Sequence, residues 1–393
     1  LFLFSVLSAQ SSTQVFYDAM SAYHNSQFVK AYQLFSSMDE MEGVDEEVLS
    51  TAKYYKGESL FSLGQFTGAE NVFQNFIERY PLSNFREAVY YKLGVIYFQL
   101  SEYEKSREYL LNLLNRYPNS DYSGSAMFMV GESFSKAGSI TEAEEFLKDA
   151  IDKSGNNKYL EYNIYSLANL YEKSGDYENA VKYYDELLAY YSDSELAPYA
   201  HLRIGISYFK LKKYDNAILE LTDPMIEKLS PELKTEANLA LANSFFRLKE
   251  YSSAADVFNK MLDELPEGTS EEELKYGLAW IDFQRHNYEG AYRTFYELSN
   301  SGSDSIAVKS LYYAAESKRY LGEPQEAVKI YDEFIEKYPG SSLAQRAALN
   351  RGIVFFNKGE EALSERYLIS SVDSEDDYTR GRALTLLGEI SLN

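Results

Sequence analysis

Residues 168–184 read ANLYEKSGDYENAVKYY and contain one complete copy of a pattern that recurs along the chain. The small residue Ala168 is followed nine positions later by Tyr177, twelve positions later by a second small residue, Ala180, and sixteen positions later by the large Tyr184. Because Ala180 and Tyr184 are four residues apart, they lie on the same face of a helix. The spacing therefore predicts two helices joined by a turn.

The first small residue of this pattern, called the anchor below, recurs every 36 to 38 residues. The anchors are Ala19, Gly57, Gly94, Gly131, Ala168, Gly205, Ala242, Ala279, Ala315, Gly352 and Gly388. Small residues on both helices let two antiparallel helices approach closely. One such hairpin cannot bury its apolar face alone, so each copy is predicted to stack on its neighbours.

Turn residues and prolines agree with this division into hairpins. Gly64, Gly138 and Gly175 stand where the first helix should end, as a left-handed C-terminal cap requires. The junction Tyr80-Pro81-Leu82-Ser83 stops one helix with proline and offers a hydroxyl near the start of the next. Pro224 falls inside the second helix of the sixth copy and predicts that this helix ends or bends there.

The order of small residue, aromatic turn residue, second small residue, large apolar residue and proline resembles the tetratricopeptide repeat. The resemblance covers the chain from about residue 12 onwards. It implies an all-α, right-handed solenoid of antiparallel helix hairpins with a period of about 37 residues. We expect a single solenoid over residues 12–393, with ten full repeats and the first helix of an eleventh, truncated at both ends.

The long period and the Tyr-Pro-x-Ser junctions are similar to those of bacterial envelope proteins, namely outer-membrane assembly lipoproteins and the periplasmic cell-division coordinator that works with the Tol-Pal system. The apolar run at residues 1–11 ends in small residues and is typical of the remnant of a secretory signal peptide. Together these features predict an exported protein, periplasmic or associated with the outer membrane. The chain has no cysteine for lipid attachment, so only location and general role carry over.

Composition and motif content argue against several classes of function. With 38 basic and 61 acidic residues the net charge is −23, which repels phosphate backbones and argues against nucleic acid as a partner. The absence of cysteine excludes disulfides, thiolate metal ligands and thiol nucleophiles. His24, His201 and His286 lie in different repeats, without a phosphate-binding loop or a serine elbow. We therefore predict no catalytic residue, no cofactor and no metal site.

The resemblance implies that the first helix of each repeat lines a concave binding surface. Four consecutive repeats carry a cation five positions after the anchor, and two of these also carry an asparagine one position after it. These residues are Lys136, Lys173, Lys210 and Arg247, with Asn169 and Asn243. The asparagine–cation pairs resemble the carboxylate clamp that some relatives use for acidic C-terminal peptides. They are candidate partner-binding residues by this analogy.

Three aromatic residues are further candidates. Trp280 is the only tryptophan of the chain and follows its anchor directly, whereas Tyr165 and Tyr276 stand three positions before theirs. Aromatic residues at a repeat spacing pack neighbouring repeats together or serve as hot spots in a binding groove, and the sequence leaves both interpretations open.

These observations predict a non-catalytic protein–protein interaction scaffold that binds partner proteins or peptides on its concave face, in assembly or maintenance of the cell envelope. No transmembrane segment is expected, and any association with the envelope would be peripheral. Two alternatives stay open. One is a module that binds cell-wall glycans on stacked aromatic rings, and the other is the regulatory repeat part of a larger multidomain protein.

Overall fold

The computed structural model of the chain describes residues 12–152, 160–266, 268–301 and 303–392. Within these ranges the backbone forms 21 α-helices, two short 3-10 helices and no β-strand. The all-α class and the arrangement in helical hairpins are therefore confirmed. The predicted signal-peptide remnant, residues 1–11, lies outside the described residues.

Backbone proximity divides the chain into two compact units, one ending at Ser207 and one beginning at Tyr208. The helices of unit 1, with α11 running past the boundary, are α1 Ser12–His24, α2 Phe28–Ser37, α3 Glu46–Ser62, α4 Phe66–Arg79, α5 Arg86–Gln99, α6 Tyr103–Arg116, α7 Ser123–Lys136, α8 Ile140–Asp152, α9 Leu160–Ser174, α10 Tyr177–Tyr190 and α11 Ala197–Lys210. Those of unit 2 are α12 Tyr214–Leu221, α13 Pro231–Arg247, α14 Tyr251–Glu264, α15 Glu271–Gln284, α16 Tyr288–Ser301, α17 Asp304–Tyr320, α18 Pro324–Lys337, α19 Ala344–Asn357, α20 Glu361–Ile369 and α21 Asp377–Leu392.

Anchors and large apolar residues meet inside the hairpins. Gly57 in α3 lies so close to Phe73 in α4 that a Cβ atom at position 57 would overlap the phenyl ring. A Cβ atom on Gly352 would lie 2.8 Å from a terminal methyl carbon of Leu368. Ser364 stands at the second small position, and its hydroxyl donates a hydrogen bond of 2.9 Å to the carbonyl of Gly352. Small residues at these positions are therefore required by the close approach of the two helices.

Each hairpin turn places one residue in the left-handed region, always seven positions after the anchor. In five turns this residue is glycine, at positions 64, 138, 175, 322 and 359. In the other five it has a side chain, with φ between 58° and 64°, at Ser26, Ser101, Lys212, Lys249 and His286. The left-handed conformation is unfavourable for a residue that carries a Cβ atom, so these five turns are strained.

Side-chain pairs 27 residues apart join neighbouring hairpins of unit 1. They are the Tyr97 hydroxyl donating to Glu70 (2.8 Å), the Tyr171 hydroxyl donating to Glu144 (2.7 Å), and the Arg107 guanidinium over the ring of Phe134 (4.4 Å). In each pair, the second helix of one hairpin contacts the first helix of the next. The chemistry of the pair changes while the spacing stays constant, as expected for an array held by nearest-neighbour interfaces.

The second helix of the sixth hairpin is short, as Pro224 predicts. Helix α12 has only eight residues and ends at Leu221. Pro224 then begins a 3-10 helix, and the carboxylate of Asp223 caps it by accepting a hydrogen bond of 2.8 Å from the Met225 amide. The prediction of a helix end at this proline is confirmed.

Candidate functional site

The first asparagine–cation pair, in unit 1, holds a carboxylate of the chain itself. The Asn169 side-chain amide donates to one oxygen of Glu132 at 3.3 Å, and the Lys173 ammonium contacts the other oxygen at 3.2 Å. Glu132 belongs to α7 and both partners belong to α9, so the contact joins successive hairpins. Asn169 and Lys173 therefore hold a carboxylate of the chain itself, and their role in binding a partner stays a prediction.

The second pair, in unit 2, has no such carboxylate. Asn243 is exposed, and its amide donates instead to the carbonyl of Leu239 in its own helix, at 2.7 Å. Arg247 is also exposed and forms no ion pair within the described part of the chain. The guanidinium therefore keeps its hydrogen-bonding capacity available for a ligand.

Beside this second pair lies a groove of about 500 Å³, formed by α13 and α15 with Phe258 of α14. Asn243, Arg247, Tyr276 and Trp280 all line it, so the structure brings four of the nine predicted site residues together. The other lining residues are Leu239, Phe246, Phe258, Glu273, Gly277 and Gln284. We call this site the groove. Its surface is mainly aromatic and apolar, and its charged groups are Arg247 and Glu273.

Because Gly277 has no side chain, α15 packs closely on Phe258 of α14. A Cβ atom at this position would lie 2.8 Å from the ring of Phe258, closer than Cβ atoms pack in proteins. The repeat pattern did not identify Gly277, Phe258 or Glu273 as site residues. Phe258 stands sixteen positions after the anchor Ala242, and its ring is buried in close contact with Gly277.

Trp280 packs against neighbouring aromatic rings and also lines the groove. Its indole is half-buried, with ring centroids 4.4 Å from Tyr313, 5.7 Å from Phe283 and 6.0 Å from Phe295. Burial raises the pKa of the neighbouring Tyr276 hydroxyl, and a hydrogen bond from Trp280 opposes part of that rise. The groove side of the indole is thus fixed in place by rings on its other sides.

The remaining candidates lie elsewhere. Tyr165 packs edge to face on Tyr184, with centroids 5.4 Å apart, and belongs to the interior of unit 1. Burial raises the pKa of Tyr165 to about 12, although Arg203 acts in the opposite direction. Lys136 and Lys210 are exposed at the last residues of α7 and α11, and neither lines the groove.

The phenylalanines four positions after the anchors are largely packing residues. Five of them meet the aromatic residue that begins the following helix, with ring centroids 5.3 to 5.6 Å apart. The pairs are Phe61–Phe66, Phe98–Tyr103, Phe209–Tyr214, Phe246–Tyr251 and Phe283–Tyr288. Only Phe246 among these also lines the groove.

Among the described residues, no group of three or more His, Asp and Glu side chains is arranged to hold a metal ion. No helix in the described ranges combines the length and hydropathy needed to cross a bilayer.

Sequence profiles of the tetratricopeptide repeat match residues 51–83, 85–153, 165–223 and 309–341. The chain therefore contains tetratricopeptide repeats, a class of helical repeat that generally mediates contacts between proteins. The groove lies between the segments that these profiles match. No curated protein sequence matches the chain.

Similar solved structures include two bacterial proteins. One is a tetratricopeptide repeat protein from Parabacteroides merdae, with 19% identity and a TM-score of 0.45, covering 69% of this chain and 99% of that one. The other is PilF of Pseudomonas aeruginosa, with 18% identity and a TM-score of 0.41, covering 57% of this chain and 96% of that one.

Proposed function

We propose that this chain is a non-catalytic scaffold that binds a segment of a partner protein in the groove between α13 and α15. The observation that carries the proposal is Arg247, an exposed guanidinium without an ion pair in the described residues, beside an aromatic surface. The chain has 61 acidic and 38 basic residues, yet none of the described acidic residues forms an ion pair with Arg247. An unpaired arginine in a groove is therefore a candidate contact for a ligand anion.

The groove chemistry favours a peptide that carries an apolar side chain next to a carboxylate. An arginine binds a carboxylate through two parallel hydrogen bonds, and Asn243 adds a donor if its amide turns away from Leu239. Trp280 and Phe246, both half-buried, offer aromatic surface for the apolar side chain. Tryptophan, tyrosine and arginine are the residues most enriched among binding hot spots, which supports this assignment.

A peptide array tests the proposal. Random and acidic peptides are synthesised in pairs, with a free C-terminal carboxylate or with an amide, and binding is measured for the wild type, Arg247→Glu and Lys136→Glu. Lys136 is the matched control because it occupies the same repeat position and is exposed, but lies outside the groove. We expect Arg247→Glu to lose acidic peptides at least tenfold while Lys136→Glu keeps them, since reversal of an interfacial charge pair is strongly unfavourable. Equal binding by all three proteins would contradict the proposal.

We further propose that the scaffold acts in the cell envelope, after export. The support is the apolar run at residues 1–11 together with the resemblance of the repeat period and junctions to envelope proteins. Expression of a tagged chain from its natural start, followed by cell fractionation, tests this location. Recovery in the periplasmic or outer-membrane fraction is expected, and recovery only with the cytoplasmic marker would contradict it.

A further inference from the structure

The groove carries a negative charge, Glu273, in addition to the positive charge of Arg247. Glu273 lies in the first turn of α15, and its side chain is exposed. Within the described part of the chain its carboxylate accepts no hydrogen bond and forms no ion pair, with Arg247 or with any other residue. Both charged groups of the groove are therefore available to a ligand.

Glu273 differs in this respect from the two glutamates that precede it. The Glu271 carboxylate pairs with the ammonium of Lys275 at 2.9 Å, and the Glu272 carboxylate accepts a hydrogen bond of 2.8 Å from the Ser303 amide. All three glutamates stabilise the start of α15, because negative charge is favourable at the positive end of a helix dipole. Only the third of them lines the groove. Stabilisation of the helix start therefore does not require a carboxylate that faces the groove.

First helices of successive hairpins in unit 2 contact each other at a nearly constant separation in sequence. The rings of Trp280 and Tyr313, 33 positions apart, have centroids 4.4 Å apart. The Asn350 amide donates to Glu316, 34 positions earlier, at 2.7 Å and to the Tyr312 hydroxyl, 38 positions earlier, at 3.1 Å. Neighbouring first helices therefore run in the same direction, with each residue beside one that stands 33 to 38 positions later.

The same separation places the two charges at opposite ends of the groove. Glu273 is 34 positions after Leu239, and Gln284 is 37 positions after Arg247. All four residues line the groove. Glu273 and Gln284 stand eleven residues apart on α15, which corresponds to about 16 Å along the helix. The groove is thus negative at one end and positive at the other, with its aromatic surface between them.

We propose that the Glu273 end of the groove binds a basic side chain of the partner segment, about 16 Å from the carboxylate at Arg247. This subsite rests on the proposed function of the groove and adds a second charge and a direction to it. An extended peptide covers that distance in about five residues, at about 3.3 Å per residue. The partner segment therefore carries a lysine or arginine about five positions before its carboxylate, with an apolar side chain between them.

The two charges also fix the direction of the bound segment. A segment bound in reverse would bring its carboxylate to Glu273 and its basic side chain to Arg247. Both contacts would then join like charges, which are strongly unfavourable across an interface. Only one direction of the partner segment satisfies both ends of the groove.

Fluorescence anisotropy with three labelled peptides tests this subsite in the full chain. The first probe is Gly-Lys-Ser-Gly-Ser-Leu-Asp with a free C-terminal carboxylate, and serine or glutamate replaces its lysine in the other two. We expect the wild type to bind the lysine probe about tenfold more tightly than the glutamate probe, with the serine probe between them. Glu273→Lys should reverse this order. Glu273→Gln should remove the difference between the lysine and glutamate probes, which secures the test if the lysine variant folds poorly.

Glu271→Lys is the matched control. Glu271 belongs to the same helical turn as Glu273 and is also exposed, but it does not line the groove. This variant should keep the wild-type order of the three probes, and circular dichroism verifies that both lysine variants keep their helix content. If Glu271→Lys reverses the order as well, the preference comes from the overall charge and the subsite is overturned.

Failure of the subsite and failure of the groove give different results. Binding of the serine probe to the wild type, and its loss in Arg247→Glu, would support the proposed function on its own. Equal binding of the lysine and glutamate probes to the wild type would then overturn the Glu273 subsite alone. If the wild type binds none of the three probes, both the subsite and the proposed function are contradicted.

Discussion

The indole ring of Trp280 packs edge to face on the ring of Tyr313, with centroids 4.4 Å apart and ring planes at 64°. Trp280 lies on α15 and Tyr313 on α17, so the contact joins the first helices of successive hairpins. The same indole also lines the groove. One side chain therefore links the stability of unit 2 to its candidate binding surface, whereas Arg247 in the same groove has no such structural contact.

This difference predicts that binding and stability can be separated by mutation. Trp280→Ala should lower the free energy of unfolding by about 3 kcal/mol, because a large packed ring is lost. Arg247→Ala should change it by less than about 0.5 kcal/mol, as is usual for an exposed residue without partners. Urea unfolding followed by circular dichroism measures both. Similar losses in the two variants would show that Arg247 is a structural residue.

The close contact between Gly57 and Phe73 predicts that alanine is not tolerated at this anchor. Gly57→Ala should destabilise the chain by about 2 kcal/mol, since overpacking forces the helices apart. Gly388 is the matched control, because it is also an anchor but nothing lies within 4 Å of its missing Cβ atom. Gly388→Ala should be neutral or stabilise by up to about 1 kcal/mol through helix propensity. Thermal unfolding of both variants measures these two changes in stability. A destabilised Gly388→Ala would argue against the steric explanation.

The strained turns predict gains in stability from glycine. Lys249 has φ of 64°, whereas the corresponding residue of the fifth hairpin is Gly175, with φ of 82°. Lys249→Gly should raise the free energy of unfolding by about 0.5 to 1 kcal/mol. Glycine has no Cβ atom and therefore adopts the left-handed conformation without a steric clash. Lys249→Ala removes the long side chain but keeps the Cβ atom, so it should not stabilise. Equal effects of the two substitutions in urea unfolding would refute the strain at this turn.

Burial of Tyr165 predicts a loss of stability in alkali. Its pKa is raised by burial from the ordinary 10.0 to about 12 in the folded chain. The folded state therefore holds the proton more tightly, and this contribution to stability is complete below pH 10 and is lost as the pH rises through about 12. Tyr165→Phe cannot ionise, so its urea midpoint should fall less than that of the wild type between pH 9 and pH 12. Tyr190→Phe, at an exposed ring, controls for the loss of a hydroxyl. Parallel declines of wild type and Tyr165→Phe would contradict the prediction.

The sequence predicted the hairpins well because their packing depends on residues at fixed separations within one repeat. The two residues of a pair such as Gly352 and Leu368 lie sixteen positions apart in every complete hairpin, so their spacing in the sequence reveals them. The groove was predicted only in part, through Asn243, Arg247, Tyr276 and Trp280. The place of Phe258 beneath the groove could not be predicted, because the close approach of its ring depends on Gly277 of the next hairpin.

The occupation of the first pair by Glu132 was missed for a related reason. Asn169 and Lys173 were recognised from their positions within one repeat, but whether they are available depends on Glu132 of the preceding one. The left-handed turns at Lys212 and Lys249 also escaped prediction, since lysine rarely adopts that conformation. A comparison of the residues one position after successive anchors would have shown the glutamate.

Binding of a carboxylate-bearing peptide in the groove is measured most directly with Trp280, the only tryptophan of the chain, as the reporter. The intrinsic emission of Trp280 is recorded during titration with the tightest acidic peptide from the array, with its C-terminal amide form, and with a chitin oligosaccharide. We predict a saturable change with the acid form alone, lost in Arg247→Glu and retained in Lys136→Glu. A saturable change with the oligosaccharide instead, or an acid-form response that survives Arg247→Glu, would contradict the account.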